Sequence, residues 1–181
     1  MRPLSTLAFL ILSTALGAQA PGAVWIDVPF VPQPHDGCGA AAILMVIEYW
    51  AHQQGTENPP VSDVAAIQQQ LYSPQDHGIS SGQMQRYFQQ HGFRAFALNG
   101  QWNDLAEQLE KGRPLIAALR PRGQSELHYV VLDGVDSAHN LVTMNDPAQR
   151  KLLTEKRSSF EKEWSAAHNW ILLAVPAPQS H

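Results

Sequence analysis

The chain has 181 residues, of which 12 are Lys or Arg and 16 are Asp or Glu, and its formal net charge is −4. A chain of this length suits one domain, in which folding buries about two thirds of the surface that the unfolded chain exposes. The mildly acidic balance gives no electrostatic basis for nucleic acid or an anionic membrane as a partner.

The first twenty residues differ in kind from the remainder. Arg2 is the only early charge, an apolar run extends from Leu4 to Leu16, and Ala-Gln-Ala at 18–20 has the small-x-small form of a cleavage site. This layout is typical of a secretory signal peptide, and the run is shorter than the ~20 residues of a spanning helix. We predict a signal peptide over 1–20 and an exported protein, periplasmic or secreted. An uncleaved membrane anchor is the alternative.

The predicted helices lie mainly in the first two thirds of the chain. The strongest pattern runs from Ala40 to His52, where large apolar residues fall on one broad face, and Gly-Cys-Gly at 37–39 opens it. Asn103 is the predicted N-cap of a later helix. The predicted helices cover 40–52, 62–72, 82–90 and 104–111, with a last short one from about 158 to 164.

The period changes from helical to extended in the second half of the chain, and a turn at 136–140 joins two of the extended segments. Helices followed by an antiparallel sheet form the α+β arrangement. We expect one domain over 21–176 and a disordered tail over 177–181. The predicted strands cover 93–98, 114–119, 127–135, 141–144 and 169–175.

Cys38 is the only cysteine, so it cannot form an internal disulfide bond. An unpaired thiol is a liability in an oxidising compartment, which favours chemistry over packing as its role. Its predicted place at a helix N-terminus, with free N–H groups and partial positive charge, favours the nucleophilic thiolate. The flanking glycines are expected to let the backbone turn sharply. A small side chain packed at a helix start is the alternative.

His128 is the best candidate among eight histidines for the base that a thiol nucleophile needs. It begins the apolar run Tyr-Val-Val-Leu at 129–132, which predicts an interior strand, and it directly follows the loop 120–126. The other seven lie at helix ends, in turns and polar loops, before the last strand or in the tail. A structural or surface role for His128 is the alternative.

Asp146 is the candidate for the group that orients the imidazole and stabilises its cation. It ends the strand that is predicted to pair with the strand of His128. Asp133 and Asp136 are weaker candidates, Asn145 is a further neighbour, and an Asp-Pro turn initiator is the alternative interpretation. The Cys38 N–H is one candidate oxyanion donor, and the side-chain amide of Gln33, five positions earlier, is a second.

Three segments resemble the bacteriocin-processing, double-glycine-leader cysteine peptidases and their freestanding relatives. They are Val28–Gln33 leading to Gly37–Ala41, Leu127–Val135, and Met144–Ala148. The resemblance implies a papain-like fold, with the nucleophile at the start of a central helix and N-terminal helices packed on an antiparallel sheet. It implies Cys38, His128 and Asp146 as a triad and Gln33 in the oxyanion hole.

Two features separate this chain from the leader-processing enzymes. Gly37 stands where many members have Asp before the cysteine. Those enzymes are also cytoplasmic domains fused to an ABC exporter, whereas a signal peptide is predicted here. Cleavage of double-glycine leaders is therefore not carried over.

The predicted function is that of an exported cysteine peptidase or amidase acting on a peptide or protein substrate. The alternatives are a catalytically idle peptide-binding module that retains the papain-like cleft, a thiol acyltransferase, and a peptidoglycan-cutting enzyme. We expect a monomer that needs no cofactor and no metal ion, because the histidines show no ligand spacing.

Overall fold

The computed structural model describes residues 22–56, 61 and 63–178. The predicted signal peptide at 1–20 and residues 179–181 of the predicted tail lie outside the described residues. Among the described residues there are five helices and seven strands. The helices are α1 (Cys38–Gln53), α2 (Val64–Leu71), α3 (Ser81–Gln90), α4 (Trp102–Glu110) and α5 (Arg157–Ala166). The strands are β1 (Val24–Trp25), β2 (Phe93–Asn99), β3 (Leu115–Leu119), β4 (His128–Asp136), β5 (Leu141–Asp146), β6 (Arg150–Lys156) and β7 (Trp170–Pro176).

One antiparallel sheet organises these elements, with the strand order β2-β7-β3-β4-β5-β6. β4 is interior, since β3 pairs along its first half and β5 along its second. At the far end of β4, β1 takes the edge that β3 leaves, with Val24 opposite Val135. The prediction of an α+β fold is confirmed.

The sheet is buried on both faces, because its central strand is apolar on both. Tyr129 and Val131 pack in the layer covered by α1, α2 and α3. Val130 and Leu132 point the opposite way, into the layer covered by α4 and α5. Burial of each such aliphatic side chain contributes about 1.5–3 kcal/mol to the stability of the fold. The strand that begins with His128 is thus held rigidly from both sides.

Helix α1 is buried along most of its length, as its broad apolar face predicts. Every residue from Ala40 to Ile47 is buried, and the small side chains of its first turns let the helix approach its neighbours closely.

Among the described residues, none of the helices has the length and apolar character that a membrane span requires.

Two local features differ from the sequence-based predictions. Asn103 is not the cap of α4: the helix starts at Trp102, whose indole is buried, and the backbone N–H of Gln101 donates to Asp104 Oδ2 at 2.7 Å. Strand β6 was not predicted, because it is mostly polar and exposed. Pairing with β5 holds it in the sheet, rather than an apolar pattern of its own.

Candidate active site

Cys38 is the first residue of α1, and its side chain is half-buried. Gly37 is the N-cap residue and provides no side-chain cap, and the first turn contains no acidic residue. The free N–H groups and the positive end of the helix dipole therefore lie at the end of α1 where Cys38 is placed.

The glycines beside Cys38 do not make the turn that precedes the helix, so that expectation was wrong. Asp36 makes it, with a φ of 53°. The glycines are instead required by close packing: a Cβ on Gly37 would lie 2.6 Å from Pro34 Cδ, and one on Gly39 would lie 3.0 Å from Ile79 Cβ. They let the loop before the helix and the loop before α3 approach the backbone at Cys38.

His128 begins β4 and lies beside the end of β5. Its Nε2 is 2.7 Å from Asp146 Oδ1, and the two side chains are 19% and 5% exposed. Because Asn145 pairs with Val131, Asp146 and His128 come to the same end of neighbouring strands. With Nε2 engaged by the carboxylate, Nδ1 is the ring nitrogen left for Cys38.

The protonation of His128 depends on both of its partners. Burial of the ring lowers its pKa, but the hydrogen bonds and negative charges of Asp146 and Cys38 outweigh burial and raise the pKa from 6.5 to about 9. A hydrogen bond with the Cys38 side chain is thus one of the causes of the raised pKa of His128. The imidazolium is therefore the favoured form of His128 at neutral pH.

Asp146 is held by more than its histidine. Its Oδ1 also accepts a hydrogen bond from the Ala148 N–H at 2.9 Å, and its Oδ2 accepts one from the side-chain amide of Gln149. Burial raises the pKa of Asp146, yet these hydrogen bonds and the charge of His128 lower it overall. Gln149 was missed by the sequence analysis, since a Gln three residues after an Asp is a common sequence.

The weaker candidates for the orienting group lie elsewhere. Asp136 pairs with His139 at 2.7 Å within the hairpin turn. Asp133 is fully buried, and neither of its carboxyl oxygens has a partner among the described residues. Asn145 ties the N-terminal loop to the sheet by donating to Val28 O at 3.0 Å. Among the three candidate carboxylates, Asp133, Asp136 and Asp146, only that of Asp146 contacts His128.

Gln33 lies on the same side of the site as His128. Its backbone N–H donates to Pro147 O at 3.0 Å, which joins its loop to the turn after Asp146. Its Oε1 is buried and has no hydrogen-bond partner among the described residues. The side-chain amide is therefore not occupied by a structural hydrogen bond through its oxygen.

Two cavities flank the pair formed by Cys38 and His128. The first, called here the thiol cavity, has a volume of about 430 Å³ and is lined by Cys38, Tyr129 and the segments 75–81 and 125–127. The second, called here the histidine cavity, has a volume of about 420 Å³ and is lined by residues that include Gln33, His128 and Asp146. Both fall in the size range of ligand pockets, ~300–1,000 Å³.

Tyr129 is a second residue of the site, although its place in the apolar run at 129–132 predicts only a core role. Its side chain is buried, and it lines the thiol cavity. Burial, followed by the charges of Cys38 and Asp76, raises the pKa of Tyr129 well above its usual range. Cys38, Asp76 and Tyr129 line the same cavity. Side chains alternate between the two faces of β4, so Tyr129 faces the layer of α1. This alternation was the sequence signal that could have placed Tyr129 near Cys38.

Comparisons with known proteins identify the family of the chain. A family model described as the Peptidase_C39 like family matches residues 25–171. No curated protein sequence matches the chain significantly. A Bacillus anthracis protein described as a C39-like peptidase is similar in structure, with a TM-score of 0.65 and 17% identity, over 88% of this chain and 100% of that one.

Two streptococcal structures are also similar. The peptidase domain of Streptococcus ComA, described as a bi-functional ABC transporter involved in a quorum sensing pathway, has a TM-score of 0.62 and 22% identity, over 84% of this chain and 100% of that one. The peptidase domain of Streptococcus mutans ComA has a TM-score of 0.56 and 16% identity, over 81% and 98%. These likenesses establish the papain-like α+β fold, and the family model confirms the resemblance seen in the sequence. Since the family model covers most of the chain, the protein belongs to the Peptidase_C39 like family.

Proposed function

We propose that the protein is an exported cysteine peptidase or amidase that cleaves its substrate through a thioester on Cys38, with His128 and Asp146 completing a triad. The supporting observation is the position of His128, which is hydrogen-bonded to Asp146 at 2.7 Å and has its pKa raised by both Asp146 and Cys38. This arrangement favours a thiolate beside an imidazolium, the reactive state of a cysteine hydrolase.

The first half of the proposed reaction forms the thioester. The Cys38 sulfur attacks the carbonyl carbon of the substrate, and the carbonyl oxygen takes up the negative charge. The Cys38 N–H and the Gln33 amide are the proposed donors to this oxyanion. The protonated ring of His128 then gives its proton to the leaving nitrogen as the carbon–nitrogen bond breaks.

The second half releases the acyl group. The neutral ring of His128 takes a proton from water, the resulting hydroxide attacks the thioester carbon, and the carbon–sulfur bond breaks. The products are a carboxylic acid and the Cys38 thiolate beside a protonated ring. Asp146 stabilises the imidazolium at both stages, and Gln149 keeps its carboxylate in place.

Matched histidine variants provide the test. His128 and His139 each lie 2.7 Å from an aspartate, but His139 is an exposed hairpin residue. Residues 21–181 are incubated with a mixed peptide library, and products are identified by mass spectrometry. We expect cleavage by the wild type and His139→Asn, and its loss in His128→Asn and Cys38→Ala.

The other outcomes separate the alternatives. Products extended by an added amine, in place of free acids, identify an acyltransferase. Peptide binding that survives in Cys38→Ala, without any product from the wild type, identifies a catalytically idle module. Equal activity of His128→Asn and the wild type contradicts the proposed mechanism.

Export is tested separately with the full chain carrying a C-terminal tag. The pattern at 18–20 predicts a mature protein that begins at Pro21 and lies outside the cytoplasm. N-terminal sequencing after cell fractionation checks this prediction. An uncleaved N-terminus in the cytoplasmic fraction contradicts it.

A further inference from the structure

The thiol cavity has a one-sided charge. Asp76 and Glu126 line it, while no Lys or Arg does, and His77 is its one other titratable side chain apart from Cys38 and Tyr129. Neither carboxylate belongs to any of the ion pairs seen among the described residues, and Glu126 accepts only from the neighbouring Ser125 hydroxyl at 3.1 Å. The cavity therefore offers negative charge that the protein itself leaves unneutralised.

The wall of the same cavity contains an unpartnered polar group. Tyr129 is only 4% exposed, and among the described residues its hydroxyl has no hydrogen-bond partner. Asp76 and Cys38 line the cavity together with Tyr129, and burial, followed by the charges of Cys38 and Asp76, raises the pKa of Tyr129. A hydroxyl so placed can accept a hydrogen bond from a cationic group that Asp76 attracts.

The chemistry of the proposed reaction assigns the two cavities to the two sides of the substrate. The acyl part becomes bonded to Cys38, which lines the thiol cavity. The leaving nitrogen takes its proton from His128, which lines the histidine cavity. The thiol cavity is therefore on the acyl side of the bond that breaks.

We propose that the thiol cavity binds a Lys or Arg side chain of the substrate, on the acyl side of the bond that Cys38 attacks. This specificity rests on the proposed function. Asp76 and Glu126 supply the charge, and the Tyr129 hydroxyl supplies a hydrogen bond within the cavity. The substrate class is thus a peptide with a basic residue next to or near the bond that is cut.

The expected preference is moderate, because both carboxylates are exposed to solvent. Exposed ion pairs contribute about two- to fivefold each to an equilibrium. The two carboxylates together predict that a peptide with Arg or Lys binds about four- to 25-fold more tightly than one with norleucine. High salt should weaken this preference, since it screens exposed charges.

Binding to the Cys38→Ala protein tests the proposal independently of turnover. The probes are coumarin-labelled octapeptides from a positional-scanning library, with one position fixed as Arg, Lys, norleucine or Glu, and fluorescence anisotropy reports their affinity. We expect Arg and Lys to bind more tightly than norleucine, and Glu to bind least. Asp76→Asn and Glu126→Gln should each reduce the basic preference two- to fivefold, and Tyr129→Phe should lower the ratio of Arg affinity to norleucine affinity.

The matched control is Glu110→Gln, an exposed carboxylate on α4 that lines neither cavity. It should leave the basic preference unchanged. Equal affinities for Arg and norleucine, or an equal loss in the control, overturn the proposal. Cleavage by the wild type without a basic preference overturns it while leaving the proposed function intact. Preferential binding of basic peptides without any cleavage supports the specificity of the cavity and overturns the proposed function.

Discussion

Replacing Asp146 with Asn removes the charge that holds His128 in its protonated form and leaves the shape of the side chain almost unchanged. The amide oxygen can still accept a hydrogen bond from Nε2, so the ring should keep its place. The attraction between carboxylate and imidazolium is lost, and with it a part of the raised pKa of His128. The perturbation therefore tests charge separately from geometry.

The magnitude follows from the protonation equilibrium. A pKa raised from 6.5 to about 9 corresponds to about 3 kcal/mol of preference for the imidazolium. Asp146 and Cys38 share this preference, so the variant should lose part of it, on the order of 2 kcal/mol, or roughly 30-fold in kcat/KM. Because the folded-state pKa of His128 is raised, its contribution to stability is complete below about pH 6.5 and is lost as the pH rises through about 9.

The assay is the pH dependence of kcat/KM, measured on a cleaved library peptide for the wild type and Asp146→Asn. The alkaline limb of the wild type should fall near pH 9, and that of the variant at least one pH unit lower. Denaturation at pH 7 should show a matching loss of stability. An alkaline limb at the same pH in both proteins would refute the assignment of Asp146 as the partner that charges His128.

Three further predictions concern other parts of the fold. Burial raises the pKa of Asp133 from 3.8 to about 7, so its cost to stability is absent below pH 3.8 and reaches about 4 kcal/mol above pH 7. Asp133→Asn should therefore stabilise the protein at pH 8 but not at pH 4. The same difference in urea midpoint between variant and wild type at both pH values would contradict this. Gly39→Ala should lower the free energy of unfolding by about 1–3 kcal/mol, because the added Cβ would press on Ile79. Gly82→Ala places its Cβ only near the tip of a flexible arginine, so it should stabilise α3 by about 0.5–1 kcal/mol. Equal urea midpoints for the two variants would refute the packing argument. Gln33→Ala should lower kcat about 100-fold with little change in KM, and stopped assays on a library peptide that show a KM effect alone would assign Gln33 to binding instead.

The sequence was most informative where an element is buried and regular. The apolar face of α1 and the apolar run of β4 each predict one structure, because packing on both sides leaves little freedom. β6 could not be found in this way. Its residues are polar and exposed, and they form a strand because β5 offers an unpaired edge, which is a property of the neighbour.

The proposed site shows the same division. Cys38, His128 and Asp146 were named from local signals: a helix start, a strand start and the end of a pairing strand. Gln149 and Tyr129 depend on side-chain directions that only the assembled fold defines. The role of the glycines also needed the fold, since Asp36 makes the turn and the glycines relieve contacts with residues distant in sequence.

The most direct test of Cys38 as an activated nucleophile is the rate at which it reacts with iodoacetamide near pH 6.5, measured by intact-mass spectrometry. A thiolate stabilised beside His128 should be alkylated several-fold to about tenfold faster than an ordinary thiol of pKa ~8.5, because the larger thiolate fraction is partly offset by lower nucleophilicity, and His128→Asn should remove most of that difference. One adduct per chain should abolish peptide cleavage. Alkylation no faster than that of an ordinary thiol, and unaffected by His128→Asn, would contradict the assignment of Cys38 as an activated nucleophile.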